Sequence, residues 1–390
     1  MTACKRGLAG FQLLHWLRHA EVERVPAIGG QTRLNAERKR AALDGKTLLI
    51  TGGTGSFGRE IVRKSLADYN PRRVIVFSRD ELKQHEMRSH FRDSRLTFFL
   101  GDVRDKERLY RAFQADVDVV IHAAALKQVP ACEYNPFEAI KTNVLGAQNI
   151  IDAAIDCQVP RVLALSTDKA VNPANIYGAS KLCAEKLFIH GNSYAGDQDT
   201  RFCCVRYGNV LGSRGSALPV FLRQRKSGVI TVTDKRMTRF WVRLDQAVEF
   251  VISCIATMRG GEVFVPRIPS MSVIDMVQAL APECSIRFTG IRPGEKLHEC
   301  LISPEEARHT LALADRFVIL PENPSWRISK QWEGELVPSN FTFTSDQNES
   351  LLTSRELLEV VDSDTESWHP SEWLDPSEQR SADTVQPTVD

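Results

Sequence analysis

The chain has 390 residues, 43% hydrophobic and 25% charged, with a formal net charge of +1. That composition fits one large globular domain or two smaller ones. The near-zero charge excludes a global field that would draw nucleic acid or an acidic membrane, and no apolar run approaches the roughly 18 residues of a membrane span.

Residues 1–44 read as a basic extension without a strand pattern, ending in the charged run NAERKRAALDGK. A short amphipathic helix over Phe11–Leu17 fits there, and so does a loosely ordered start. The same stretch is too short and too interrupted for a signal peptide. From Lys46 the texture changes. Short apolar runs (TLLIT, VIVFS, TFFLG, DVVIHAA, RVLALS, FCCVRYG) alternate with amphipathic segments such as REIVRKSLADY and KERLYRAFQA. Unbroken apolar strands alternating with helices predict an α/β fold, a doubly wound parallel sheet covered on both faces. EVFVP and RFVIL continue the ordered region. Beyond about Ser325 the pattern weakens, and after Asp362 the chain is acidic and rich in Ser, Pro and Thr, the composition of a disordered tail. Nine cysteines, scattered singly apart from Cys203 and Cys204 and without C-x-x-C spacing, suit reduced thiols in the cytoplasm and no metal site.

The first strand runs into TGGTGSFGREIV. Gly52, Gly55 and Gly58 permit a tight strand-to-helix turn whose backbone N–H groups, with those of Ser56 and Phe57, can approach a pyrophosphate. This context makes the motif a dinucleotide site of the Rossmann type. The second strand ends in VIVFSRDELK, where Ser78, Arg79 and Lys83 suit a 2′-phosphate and favour NADP. Asp80, next to Arg79, keeps NAD open, because an acid at this tip commonly bonds the ribose 2′-hydroxyl. Asp102 and Val103 follow the third strand, where Asp102 can accept from the adenine amino group. After the fourth, Ala123 is small enough to pass beneath the cofactor, and Lys127 is placed to reach cofactor or substrate.

Tyr177 and Lys181, in STDKAVNPANIYGASK, stand four residues apart and share a face if the segment is helical. A phenol of pKa about 10 is a poor base at neutral pH. A close ammonium and a nicotinamide cation would stabilise the phenolate. The pair then suits proton removal from a sugar hydroxyl while hydride leaves the same carbon. Thr167, Asp168 and Lys169 lie just upstream; a simple hydride-transfer enzyme has no use for that extra acid and amine.

The glycine loop, the Y-x-x-x-K pair and the distal RPGEKLHE segment resemble the extended short-chain dehydrogenase/reductase superfamily. Within it, SRDELKQHEM, HAAALKQVPACEYNP, STDKAVNPANIYGASK, VRYGNVLGSRGS, MTRFW and RPGEKLHE resemble the inverting UDP-N-acetylglucosamine 4,6-dehydratases, over roughly Lys46–Pro321. The resemblance implies oxidation at C4 and loss of water across C5 and C6. Asp168 would protonate the leaving hydroxyl, Lys169 would remove the C5 proton, Thr167 would bond the C4 oxygen, and hydride would return to C6. Lys169 must then be partly neutral, and burial beside Lys181 is expected to lower its pKa. The resemblance also places Asn209, Val210, Gly212, Ser213, Arg214 and Ala217 along the UDP-sugar pocket, Thr233 at the uracil side, and Arg292 and Glu295 on the diphosphate and ribose. It implies a tightly held NADP, UDP-N-acetylglucosamine as substrate and a homo-oligomer. MTRFW receives no role, and Arg239 can be structural.

The expected organisation is a 1–44 extension, then a Rossmann core over 45–207 that also receives 240–265. A nucleotide-sugar region over 208–239 and 266–325 follows, with a C-terminal extension over 326–390. Two rival readings remain: a UDP-N-acetylhexosamine 4-epimerase, which needs no acid and amine beside Tyr177, and a non-catalytic dinucleotide-binding scaffold.

Overall fold

The computed structural model describes residues 29–213, 216–322, 324 and 332–363. Six apolar runs become the parallel strands β1 (Thr47–Thr51), β2 (Arg73–Ser78), β3 (Leu96–Leu100), β4 (Val119–His122), β5 (Arg161–Leu165) and β6 (Arg201–Val205). They lie side by side in the order β3-β2-β1-β4-β5-β6. All five residues of β1 are buried, as an unbroken apolar strand requires when helices cover both faces. The strand order reverses between β1 and β4, and the crevice beyond the carboxyl ends at such a point is where an open α/β sheet binds ligands.

Past β6 the chain builds a second lobe. A three-stranded sheet joins β7 (Asn209–Val210), β9 (Thr238–Val242) and β11 (Ser270–Ser272), and β8 (Val229–Val232) pairs in parallel with β12 (Ser285–Phe288). Leu218, Phe221, Ile230, Trp241, Met271 and Met276 fill the core of this lobe. The lobes interleave. β10 (Val263–Pro266) returns to the main sheet beside β6, while β14 (Thr310–Ala312), β15 (Arg316–Ile319) and β16 (Glu335–Leu336) extend it antiparallel to ten strands. β13 (Cys300–Ile302) pairs with β17 (Phe343–Thr344).

Three boundaries differ from the sequence reading. Residues 29–43 of the presumed extension form a helix, Gly29–Leu43, packed on the helix Leu244–Thr257. Its charged run hides this because Ala42 and Leu43, at its end, are its buried apolar anchors and Lys39 is paired with Glu249. The RFVIL strand, placed with the sugar region, lies in the main sheet as β15, whereas residues 240–242, placed with the core, belong to the small sheet through β9. Beyond residue 326 the chain folds back: the helix Ser354–Ser363 buries Leu357 and Val360 in the second lobe's core. The Phe11–Leu17 helix and the acidic tail past residue 363 lie outside the described residues.

Candidate active site

A cavity of about 920 Å³ opens between the lobes at the carboxyl ends of the parallel strands. One half is the glycine loop. Gly52 has φ of +66°, and a Cβ there would lie 2.8 Å from the Ala124 backbone nitrogen, so only glycine fits the turn. The loop leads into the helix Ser56–Asp68, whose N-terminal N–H groups have no partner within the helix and carry its positive dipole end. Gly52, Gly55, Ser56, Phe57 and Gly58 all line the cavity. So do Ala123 and Ala124, which keep the floor shallow. A cradle floored by glycines and alanines, at a helix N-terminus, fits the diphosphate of a nicotinamide dinucleotide.

Ser78, Arg79, Asp80, Lys83, Asp102 and Val103 close this half. The charged members are already engaged. Asp80 caps the helix Glu81–His90 by accepting from the Lys83 N–H, and its other oxygen lies 2.6 Å from the Lys83 ammonium. Lys83 is therefore not an independent cation at the tip. Arg104 bonds Asp102 at 2.7 Å, and Arg79 stands 3.7 Å from the same carboxylate. Burial favours a neutral Asp102, but these arginines outweigh it and hold the group below the usual range.

The catalytic stretch leaves β5. The Ser166 N–H donates to the Val205 carbonyl at 2.6 Å and the Asp168 N–H to Tyr207 at 3.1 Å, which pins the turn against the neighbouring strand's end. Thr167 caps a single 3₁₀ turn over Asp168–Ala170. Its hydroxyl donates to Asp168 Oδ1 at 2.9 Å. The helix Ile176–Ala195 follows, capped by Asn175, which accepts from the Gly178 N–H at 2.8 Å. A side chain at residue 178 would collide with the Lys169 carbonyl oxygen, so glycine lets this helix approach the turn. Thr167, Lys169, Tyr177 and Lys181 all line the cavity. Asp168 is fully buried just behind the wall, and its Oδ2 accepts no hydrogen bond.

Lys169 is the hub. Its ammonium lies 3.0 Å from Asp168 Oδ1, 3.3 Å from Asn209 Oδ1 and 3.4 Å from Glu299 Oε1. Burial opposes its charge, but Asp168 and Glu299 outweigh burial and hold the ammonium above the ordinary lysine range. This corrects the expectation of a partly neutral Lys169 beside Lys181: two carboxylates, one of them unforeseen, surround it. Lys181 donates to the Leu165 carbonyl at 2.6 Å, and burial pulls its pKa down against the pull of Cys204 and Glu185. Burial pushes the Tyr177 phenol up to about 12, while Lys169 and the neighbouring Thr167 hydroxyl pull it the other way. Among the charges bearing on Tyr177 the leading cation is Lys169. Lys127 reaches the cavity mouth, where the surrounding protein and then the Lys169 charge lower its pKa although water still reaches its side chain.

On the sugar side Asn209, Val210, Ser213, Ala217, Thr233, Arg292 and Glu295 line the cavity. Gly212, at φ of +74°, turns the chain behind that wall, and Arg214 lies outside the described residues. Arg292 and Glu295 pair with each other at 2.8 Å. Burial would raise the Glu295 pKa, but Arg292 brings it below the ordinary value. Three further charged lining residues received no role in the sequence reading: Arg239, Lys296 and Glu299. Arg239 is buried and donates to the Leu297 and Lys296 carbonyls at 2.9 Å each, which shapes the RPGEKLHE turn. The available signal for Glu299 was an acid at the end of RPGEKLHE immediately before the apolar strand β13. Among the described residues no cluster of His, Cys, Asp and Glu is arranged to hold a metal ion, and no helix is long and apolar enough to cross a membrane.

The family described as "Polysaccharide biosynthesis protein" matches residues 48–321, more than half of the chain. The chain belongs to this family. A Campylobacter jejuni relative named UDP-N-acetylglucosamine 4,6-dehydratase (inverting) is 48% identical over 82% of the chain and 98% of its own length. That bears out the family resemblance drawn from the motifs. A Rickettsia conorii relative named UDP-glucose 4-epimerase is 40% identical over 81% of the chain and 95% of its own length. Among solved structures, Pen from Bacillus thuringiensis superposes with a TM-score of 0.76 at 37% identity, covering 82% of the chain and 98% of its own. DesIV, a dTDP-glucose 4,6-dehydratase from Streptomyces venezuelae with NAD bound, gives 0.58 at 25% identity, covering 64% and 86%.

Proposed function

We propose that the protein is an inverting UDP-N-acetylglucosamine 4,6-dehydratase that holds NADP through its cycle and releases UDP-2-acetamido-2,6-dideoxy-β-L-arabino-hexos-4-ulose. The observation that carries this reading is the Thr167–Asp168–Lys169 turn set beside Tyr177 at the cavity that also contains the glycine loop. Relatives bearing the dehydratase name support it.

The loop residues 52–58 would hold the cofactor diphosphate. Ser78 and Arg79 would meet the 2′-phosphate, because Asp80 is committed to Lys83 and the helix cap. When bound, the nicotinamide accepts hydride from C4, returns it at C6, and adds a positive charge that lowers the Tyr177 phenol. Tyr177 takes the C4 hydroxyl proton, and Thr167 bonds the same oxygen. The resulting ketone acidifies the C5 hydrogen.

Elimination needs an amine base and a carboxylic acid at once. At rest Lys169 is an ammonium against the Asp168 carboxylate. Passing one proton across that 3.0 Å contact yields both groups in their working forms without gain or loss of a proton. Lys169 then removes the C5 proton as the C6 hydroxyl leaves with the Asp168 proton as water. After hydride reaches C6, a proton delivered to C5 from the opposite face completes inversion, with no net redox change.

The test is proton NMR of UDP-N-acetylglucosamine turned over in deuterated water, with the nucleotide extracted from the purified protein identified in parallel. The expected product carries a C6 methyl group, a deuterium at C5 and an inverted ring. UDP-N-acetylgalactosamine as sole product would replace this reading with 4-epimerisation, the activity named for the Rickettsia relative. An extracted NAD would overturn the cofactor choice alone.

A further inference from the structure

Glu299 stands at the entry to β13, with its side chain in the cavity wall and only 3% exposed. Its backbone is fixed on both sides: its N–H donates to Ser345 Oγ and its carbonyl accepts from the Ser345 N–H, both at 2.9 Å. The Ser345 and Thr238 hydroxyls are in turn bonded at 2.7 Å. This scaffold aims Oε1 at the Lys169 ammonium, 3.4 Å away, and leaves Oε2 without a hydrogen-bond partner among the described residues. A buried carboxylate with an unsatisfied oxygen is costly to keep. Arg239 and Lys296 stand at 3.8 and 3.9 Å, beyond hydrogen-bond reach, so neither of them satisfies the group.

We propose that Glu299 is a positioning residue for the reaction, contributed from the entry to β13, which anchors the Lys169 amine over the cavity and stabilises the positive charge that it gains on taking the C5 proton. This rests on the dehydratase reading above. Asp168 holds Lys169 from its own turn and gives up its proton to the leaving hydroxyl. Glu299 transfers no proton in this scheme, so its charge faces the amine while that amine becomes an ammonium. Removing that charge weakens the amine as a base. The groups facing Lys169 are Asp168 on its own turn, Glu299 before β13, Arg239 on β9, Tyr177 on the catalytic helix and Lys127 after β4. Of the three carboxylates on the sugar-side rim of the cavity or at its base, Glu295 is bound to Arg292, and only Asp168 and Glu299 bear on the amine.

The sign follows from the neighbours. Asp168 and Glu299 hold Lys169 up and Arg239 holds it down, so loss of the Glu299 charge moves the amine toward the neutral form at a given pH. Competitive acetylation of the full-length protein without substrate, read by peptide mass spectrometry against pH, reports the neutral fraction directly. Glu299→Gln is expected to label Lys169 about tenfold faster at the same pH, the effect of roughly one pKa unit, with Lys127 not accelerated, because a less charged Lys169 only relieves the charge that lowers Lys127. In turnover the variant is expected to lose about 10–100-fold in kcat with little change in KM, less than the roughly 10²–10⁴-fold of a whole acid or base because Lys169 itself remains. Reduced nicotinamide should accumulate, because C4 oxidation proceeds and elimination stalls. Glu299→Asp should recover part of both. Unchanged Lys169 labelling in Glu299→Gln, or equal acceleration at Lys169 and Lys127 with a lowered melting temperature, overturns the proposal. A wild-type protein inert toward UDP-N-acetylglucosamine overturns the dehydratase reading instead and leaves the labelling comparison to decide whether Glu299 governs Lys169.

Discussion

The two halves of the cavity are built by different means. The cofactor half is centred on one contiguous glycine motif, and its closest ion pairs are local, Lys83 with Asp80 and Arg104 with Asp102. The reaction half is crowded with buried charge, and its contacts join distant segments. Lys169 meets Glu299, Asn175 donates to the Gly294 carbonyl at 2.8 Å, and Lys296 donates to the Val171 carbonyl at 2.6 Å. The first half needs a backbone shape, which a short motif encodes. The second needs charges placed against one another, which only the assembled lobes supply.

The sharpest way to break this comparison is Lys169→Ala. If the reaction half works through its charges, the variant should lose about 10²–10⁴-fold in kcat, the contribution of a positioned acid or base. Cofactor content should stay near wild type, since Lys169 touches none of the loop residues 52–58, whereas thermal stability should fall because Asp168 and Glu299 are left buried without their counter-charge. Turnover within a few-fold of wild type, measured by release of the 4-keto sugar, would remove the chemical role from this half altogether.

A second variant asks what holds the halves together. Arg206 is fully buried, paired with Glu185 on the catalytic helix and, at 2.9 Å, with Glu306, and it donates to the Leu301 carbonyl at 2.9 Å. Glu185 also accepts from the Ser166 hydroxyl at 2.7 Å, one residue before the catalytic turn. Arg206→Ala leaves Glu185 buried without its counter-charge and should cost about 3–5 kcal/mol. Urea unfolding of the single variant and of Arg206→Ala with Glu185→Leu checks this. The double variant should be the more stable of the two, because the stranded charge, not the lost attraction, is the main penalty.

The same division explains what could be read from the chain. The eight apolar runs from TLLIT to RFVIL all became strands, because unbroken apolar strands and amphipathic helices carry their own periodicity. The loop glycines and the Tyr177–Lys181 spacing were legible because each depends on near neighbours alone. Glu299 was not, since its meaning lies in an amine 130 positions away; nor was the ionic state of Lys169, which two carboxylates decide against burial. The Gly29–Leu43 helix was hidden for another reason. Its apolar anchors sit at one end, so the charged run before them shows no amphipathic period.

That helix offers the smallest effect. Lys39 and Lys64 both meet Glu249, with Lys64 at 3.0 Å, and these groups are partly exposed. Burial would raise the Glu249 pKa, but hydrogen bonds from the two lysines bring it below its ordinary value. A carboxylate lowered on folding adds stability above its unfolded pKa of about 4.3, and that stability fades as pH falls through the lowered folded value. Glu249→Gln should therefore cost about 0.5–1 kcal/mol at neutral pH, the scale of exposed ion pairs, with the difference from wild type shrinking as the pH is taken below about 4. Urea midpoints at the two pH values measure it. A neutral-pH loss of several kcal/mol would mean that the helix is bound as tightly as the buried charges of the reaction half, and the contrast between core and edge would need another cause.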